Sequence, residues 1–201
     1  MIRVVLAEDE HLIREALVAL LELTDDIEVV GQAASGDEAL VTVRKLAPDV
    51  AVLDLQMPGA SGIEVAAALA SELPGCACVI VTSHGMPGYL KQALVHGVRG
   101  FVPKTTSGAR LAEVIRTVHG GGRYVDPALA ADAIAAGDSP LTPREADVLL
   151  AADGGAHIEE IAARVNLSPG TVRNYLSAAI GKLQAATRHE AVRIARERGW
   201  I

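Results

Sequence analysis

Along the first part of the chain, two kinds of hydrophobic pattern take turns. Short apolar runs rich in β-branched residues fall at residues 2–7, 27–31, 50–54, 79–82 and 100–103. They show no polar alternation, which is the pattern of strands covered on both faces. Between them, apolar positions recur at helical spacing over 11–23, 36–46, 62–73, 88–96 and 107–119. Ser107 is placed to cap the last of these, and Gly120-Gly121-Gly122 stops it. The alternation predicts an α/β fold, a five-stranded parallel doubly wound sheet with helices on both faces. Crossovers in such a sheet are right-handed, and functional groups gather at the carboxyl ends of the strands. A bundle of helices alone leaves the β-branched runs unexplained.

The pattern then changes twice. Residues 121–140 are rich in Gly, Ala and Asp and carry Pro127 and Pro140, which predicts a linker with one short helix near 127–136. From Leu141 onward no strand-like run occurs. Thr142, followed by Pro143 and by Glu145 three residues on, makes a capping box at the head of a helix that Gly154-Gly155 ends. Next come a short helix over 158–165, a turn at Asn166-Leu167 and a longer helix capped by Ser168, with Pro169 at its first position. That helix runs to about 183, and a fourth spans 188–198. Short helix, tight turn, long helix is the helix-turn-helix layout. The chain divides into an α/β domain over 1–120, a linker over 121–140 and an all-α four-helix domain over 141–201.

Composition refines this picture. Half the chain is apolar and only 2% is aromatic, so the cores must be built from Ala, Val, Leu and Ile. The net charge of −7 by itself argues against nucleic acid as a partner. It is unevenly spread, however: residues 1–138 carry 10 Lys and Arg against 18 Asp and Glu, whereas residues 139–201 carry 8 against 7. An acidic front and a faintly basic rear suit different partners. Cys76 and Cys78 share one face of a strand and read as small buried hydrophobes, not a disulfide framework. No apolar stretch has membrane-spanning length, and Met1 leads straight into a strand-like run with no charged leader. The expectation is a cytoplasmic protein without membrane association.

The chemistry collects at strand ends. Glu8 and Asp9 follow the first strand, Asp54 ends the third, Thr82 the fourth and Lys104 the fifth. In a parallel sheet all five project from one edge. Three carboxylates so close raise one another's pKa unless a cation neutralises them, and an open set of oxygen ligands suits Mg²⁺. The metal-ligand candidates are Glu8, Asp9, Asp54 and the peptide oxygen of Gln56. Asp54 is the candidate nucleophile, forming an aspartyl phosphate. Lys104 and the metal would offset charge on the transferring phosphoryl group, and the Thr82 hydroxyl would donate to it. Taken singly, each residue has a plainer reading as a helix cap, a surface charge or an ordinary strand residue. It is their convergence that makes a site.

These residues carry a resemblance. Ala7-Glu8-Asp9-Glu10, Leu53-Asp54-Leu55-Gln56-Met57-Pro58-Gly59, Val81-Thr82-Ser83 and Gly100-Phe101-Val102-Pro103-Lys104 resemble the signature of receiver domains of two-component signalling. The resemblance implies the strand order 2-1-3-4-5, phosphorylation of Asp54 by a sensor histidine kinase, and Thr82 with Phe101 as a switch pair. Leu141-Thr142-Pro143-Arg144-Glu145, Glu160-Ile161-Ala162, Ser168-Pro169-Gly170-Thr171-Val172-Arg173 and Lys182-Leu183 resemble the LuxR-type helix-turn-helix. The tandem is similar to response regulators of the NarL/FixJ family. Within that family, Met86-Pro87-Gly88-Tyr89-Leu90, Thr171-Val172-Arg173-Asn174-Tyr175 and Arg198-Gly199-Trp200 look most like a subgroup regulating membrane-lipid desaturation.

On the long helix, Val172, Leu176, Ala179 and Leu183 form an apolar stripe. Opposite it, Arg173 and Asn174 sit toward the end that enters the major groove, where Arg favours guanine edges and Asn adenine. Thr171 and Lys182 suit phosphate contact. The resemblance points to Arg173, Asn174 and Ser177 for base reading. A near-neutral domain binds DNA weakly without specificity, so affinity should depend on a phosphorylated homodimer spanning paired half-sites of double-stranded DNA. The dimer face is either helix 4–strand 5–helix 5 or helix 1–helix 5. Trp200 reads as a cap on the last helix.

Three positions depart from the family pattern: Gln56 where Asp or Asn is common, His157-Ile158 where Ser-Asn is common, and Tyr175 where His is common. Two rivals follow from the same residues. A regulator that ignores phosphorylation has no use for Glu8, Asp9, Asp54, Thr82 and Lys104 together. A phosphohydrolase with an Asp nucleophile usually has a second Asp two residues on as general acid, which Gln56 cannot replace. The reading is therefore a transcriptional regulator and not an enzyme.

Overall fold

The computed structural model describes residues 1–83, 87–137 and 139–201. Two compact units form, one reaching Ala130 apart from the entry to its fourth helix, the other beginning at Ala131.

In the first unit, strands and helices alternate: β1 (Ile2–Ala7), α1 (His11–Glu22), β2 (Ile27–Ala33), α2 (Gly36–Leu46), β3 (Val50–Asp54), α3 (Gly62–Glu72), β4 (Ala77–Thr82), α4 (Pro87–Val95), β5 (Gly100–Pro103), α5 (Gly108–His119) and β6 (Tyr124–Val125); α6 (Pro127–Ala135) then runs from the first unit into the second. The strands make one sheet in the order β2-β1-β3-β4-β5-β6, every neighbouring pair parallel. Every residue of β3 and β4 is buried, as unalternating apolar runs require of central strands. Val4, Leu6, Val50, Val52, Val79, Val81 and Val102 pack with Leu21 of α1 and Leu111, Val114, Ile115 and Val118 of α5 on one face. Helix starts follow local chemistry: Ser35, Ser61 and Ser107 each accept a backbone N–H from the first turn, and Ser61 with Glu64 completes a capping box. Cys76 and Cys78 are free and buried.

The sheet has six strands, which corrects the expected five. β6 lies inside the segment read as a linker. Tyr124 N–H donates to the Arg99 carbonyl at 2.8 Å and Asp126 N–H to the Phe101 carbonyl at 3.0 Å. Two residues held by the backbone of β5 carry no side-chain period, so the hydrophobic pattern is silent there. The Arg110 guanidinium stacks 4.7 Å from the Tyr124 ring centroid.

The second unit is helical: α7 (Pro143–Ala151), a 3₁₀ turn (Asp153–Gly155), α8 (Ile158–Val165), α9 (Pro169–Lys182) and α10 (Arg188–Arg198). Its core joins Leu141, Val148, Leu149, Ile161, Val172, Leu176, Ala179, Leu183 and Ala191. Asn166 turns the chain between α8 and α9 at φ 53°, a left-handed conformation that Asn adopts more readily than most residues. The C-cap of α10 is Gly199, at φ 64°, and not Trp200 as expected. The Trp200 backbone N–H donates to the Ala195 carbonyl at 2.7 Å, its ring packs on this core, and the Arg198 guanidinium stands 5.5 Å from the ring centroid. Among the described residues, no helix is long and apolar enough to cross a membrane.

Candidate functional site

The carboxyl edge of the sheet gathers what the strand ends carry. β1 delivers Glu8 and Asp9, β3 Asp54, β4 Thr82 and β5 Lys104. Lys104 N–H donates to the Thr82 carbonyl at 2.8 Å, and Leu55 N–H to the Val81 carbonyl at 3.2 Å, which fixes the strand-end backbones relative to one another. Gly62 opens α3 directly against Asp54. A side chain there would overlap the Asp54 carbonyl, so only glycine lets the helix start so close.

The side chains converge in turn. Lys104 Nζ stands 2.8 Å from both Glu8 oxygens, 3.2 Å from Asp54 Oδ2 and 3.6 Å from Glu10 Oε1. Glu8 and Asp54 are almost wholly buried, at 1% and 6% exposure, while Asp9 is exposed. Glu8 Oε1 takes the Lys104 hydrogen bond and also accepts from Glu10 N–H at 3.2 Å. Glu8 Oε2 is buried with no hydrogen-bond partner in spite of its closeness to Lys104. Ligand oxygens of Glu8, Asp9 and Asp54 lie within 4.8 Å of one another, a cluster able to hold a metal ion. Burial pushes the Glu8 carboxyl above its usual range, with Asp54 adding to the rise and Lys104 opposing it. Burial likewise raises Asp54, against the pull of Lys104. Burial works against the charge on Lys104, but Glu8 and Asp54 outweigh it and hold its pKa above the usual value.

A cleft of about 330 Å³ opens over Asp54, lined also by Asp9, Gln56, Thr82, Ser83 and Lys104. A larger one of about 630 Å³ adjoins it, sharing Asp9 and Gln56 and walled by Met57, Pro58 and α4. The Gln56 side chain is exposed. Phe101 is fully buried in β5, paired in register with Ile80. One support escaped the sequence: Arg14, in the first turn of α1, donates to the Glu8 carbonyl at 2.6 Å. A buried, desolvated carboxylate facing an open cleft beside one ammonium can act as a nucleophile toward an electrophile whose negative charge the ammonium also offsets.

In the second unit, the buried side of α9 is the stripe Val172, Leu176, Ala179 and Leu183. Arg173, Asn174, Ser177 and Lys182 are exposed on the same helix. Thr171 is half-buried, its hydroxyl 2.8 Å from that of the cap Ser168. Arg173 lies 4.0 Å from Glu159 of α8. In α8, where the family's usual cap is missing, Glu160 accepts the His157 N–H at 3.0 Å.

Lys182 is engaged within its own domain, bonded at 2.7 Å to Glu145. The same Glu145 carboxylate accepts Thr142 N–H in the capping box of α7. Lys182 and then Thr142 hold Glu145 below its usual 4.5. A lowered folded value means that the charged form stabilises the domain above the unfolded value, and that this contribution is lost as pH falls through the folded value. Glu145→Ala should cost about 2 kcal/mol at neutral pH, the scale of a hydrogen bond to a charged group. The deficit should shrink in acid below 4.5. Urea unfolding followed across pH checks both; a cost that does not change with pH rules out the ion pair as its source.

Comparison with known proteins follows the same division. Residues 4–116 match the family "Response regulator receiver domain", and residues 139–195 match "Bacterial regulatory proteins, luxR family". The chain is 40% identical to the transcriptional regulatory protein DesR of Bacillus subtilis over 201 residues, covering the whole of both chains. It is 34% identical to the DNA-binding transcriptional activator DevR/DosR of Mycobacterium tuberculosis, over 98% of this chain and 95% of that one. Among solved structures it is similar to the response regulator ChrA of a heme-sensing two-component system. There the identity is 28% and the TM-score 0.60, over 100% of this chain and 98% of that one. Of the segments that suggested a subgroup, Met86 lies outside the described residues.

Proposed function

Since this chain belongs to the response regulators that join a receiver domain to a LuxR-type DNA-binding domain, and is a transcriptional regulator of that kind, we propose that its output is switched by phosphorylation of Asp54. The observation that carries this is the Asp54 carboxylate, buried yet lining an open cleft, 3.2 Å from the Lys104 ammonium. An Asp54 oxygen attacks the phosphorus of a phosphohistidine on a sensor histidine kinase. The P–N bond breaks and the phosphoryl group is left on Asp54 as an acyl phosphate. Lys104 moves from the carboxylate to the phosphoryl oxygens, and the Thr82 hydroxyl donates to one of them.

The site also fits a divalent cation. Glu8 Oε2 is buried without a hydrogen bond, and the donors are all oxygen in an open cleft, which suits Mg²⁺. Glu8, Asp9, Asp54 and the peptide oxygen of Gln56 would hold it. When bound, the cation offsets the negative charge of the carboxylates and of the phosphoryl oxygens.

Residues 1–120 together with β6 act as the receiver, the rest of 121–140 as the linker and 141–201 as the DNA-binding domain. Thr82 and Phe101 pass the change to the α4–β5–α5 face or the α1–α5 face, and one of these forms a two-fold homodimer. Dimerisation brings two α9 helices to paired half-sites on double-stranded DNA, in the cytoplasm. Arg173, Asn174 and Ser177 read base edges; Thr171 and Lys182 meet phosphate. Catalysis is confined to the protein's own phosphorylation and dephosphorylation.

The test is intact mass and size-exclusion behaviour after treatment with Mg²⁺ and a small acyl phosphate. One phosphoryl adduct and a shift to dimer are expected. No adduct under conditions that preserve acyl phosphates points instead to a regulator that works without phosphorylation. For DNA reading, Arg173→Ala should cost about 1–3 kcal/mol on the best site and relax the preference at one base pair. Binding measured across single-base variants of that site checks this, and a uniform loss over all of them would reassign Arg173 to phosphate.

A further inference from the structure

At the opposite edge of the sheet from Asp54, Cys76 lies just ahead of β4 and Cys78 within it. Both are free, and they are 8% and 5% exposed. The Cys76 thiol donates to the Ala77 carbonyl at 4.0 Å, and each thiol is the largest influence on the ionisation of the other. The neighbouring Cys78 thiol, and then the backbone N–H of Ala51, hold the Cys76 thiol below its ordinary value against the opposing effect of burial. The Cys76 thiol and burial push Cys78 well above it. Both residues line a cleft of about 240 Å³ whose other walls are Ala66, Ala70, Pro74, Ala77, Gly97 and Arg99.

We infer that Cys76 and Cys78 form a two-thiol site that chelates a thiol-seeking trivalent arsenical, whose own substituent lies in the cleft. The donor count favours this chemistry. Among the described residues, the groups of three or more metal-ligating side chains comprise only the acidic trio at Asp54, whereas a closed zinc site wants four ligands. Trivalent arsenic needs two sulfurs and brings its third bond with it. The spacing favours it over a disulfide. Residues two apart on an extended chain have Cα atoms about 6.6 Å apart, from a rise of roughly 3.3 Å per residue. That is at the long end of the disulfide range, whose mode is about 5.5–6 Å. A bridging atom spans the two sulfurs without drawing the backbone together. In the reaction, two As–S bonds form, the As=O bond breaks, and the two thiol protons leave with that oxygen as one water. No oxidation state changes.

The 201-residue chain, held in a monothiol reductant, is mixed with one equivalent of phenylarsine oxide. Intact mass should show one arsenical per chain, with both thiols lost to titration. The thermal midpoint should rise, because a ligand that binds the folded state stabilises it. A dithiol such as 2,3-dimercaptopropanol should reverse the binding and the monothiol should not. Cys76→Ser and Cys78→Ser, each first shown by circular dichroism to be folded, should each weaken binding by about tenfold or more, because the second bond is intramolecular only in the parent chain. A folded protein that takes up no arsenical overturns the inference. So does uptake that lowers the midpoint, or a folded single variant that binds as tightly as the parent chain.

Discussion

Asp54→Ala should take up no phosphoryl group from a small acyl phosphate, and its DNA binding should be the same with and without the donor. The expected loss is complete, since no neighbour is set to replace the nucleophile. Glu8 is buried and already engaged by Lys104, and Asp9 is exposed and makes no ion pair with Lys104. The variant should nonetheless fold. Asp54 and Glu8 both have carboxyls raised by burial. A raised folded value means the native state holds its proton more tightly than the unfolded chain, so stability falls as pH climbs through that interval. At neutral pH the Asp54 charge is therefore a burden on the fold. Asp54→Ala should be at least as stable as the parent protein in the absence of Mg²⁺. Intact mass, gel shift with and without donor, and thermal unfolding together decide the matter. Donor-stimulated DNA binding that survives in Asp54→Ala would end the proposed switch.

Phe101→Ala should be the most destabilising single change in the receiver, by about 3–5 kcal/mol. Phe101 is the only Phe in the chain and heads the fully buried side chains by size. Phe101 pairs in register with Ile80 of β4, and an interior packed to crystal-like density has no slack volume to fill the hole. A domain with a total stability of about 5–15 kcal/mol loses a large part of it. Phe101→Leu keeps most of the volume and should cost less than about 1.5 kcal/mol. The pair separates packing from signalling. If Phe101 relays the state of Asp54, Phe101→Leu should remain folded in urea titration while its phosphorylation-dependent dimerisation shifts. Full dimerisation in a folded Phe101→Leu would leave Phe101 with a packing role alone.

Most of the architecture was readable because its signals are local. β3 and β4 are covered on both faces, so their apolar runs stand out. Ser107, Thr142 and Ser168 announce helix starts through chemistry that acts within one turn. Strand limits were less clear where residues lack β-branching. β4 begins at Ala77, two residues before the run that marks it, and β2 continues through Gln32 and Ala33, held by register with β1. β6 had no signal of its own, being defined by the backbone of β5. The site was readable as a set of strand ends, since parallel strands put their ends together whatever lies between. Its internal pairing was not. That Lys104 is shared by three carboxylates while one Glu8 oxygen is left without a hydrogen bond depends on side-chain geometry across nearly the whole receiver. That Lys182 is occupied by Glu145, 37 positions away, is equally invisible to helical periodicity.

The pairing of Lys182 with Glu145, and the looser one of Arg173 with Glu159, changes the thermodynamics of meeting a duplex. A lysine that arrives free displaces condensed counterions when it reaches a phosphate, and their release makes affinity fall steeply with salt. A lysine that exchanges an internal carboxylate for a phosphate brings no such net release, because the freed carboxylate recruits cations of its own. The slope of log affinity against log salt should therefore be shallower than a count of basic groups on α9 implies. In this domain, ionic strength would then govern the choice between specific and random DNA less than the fit of the base edges does.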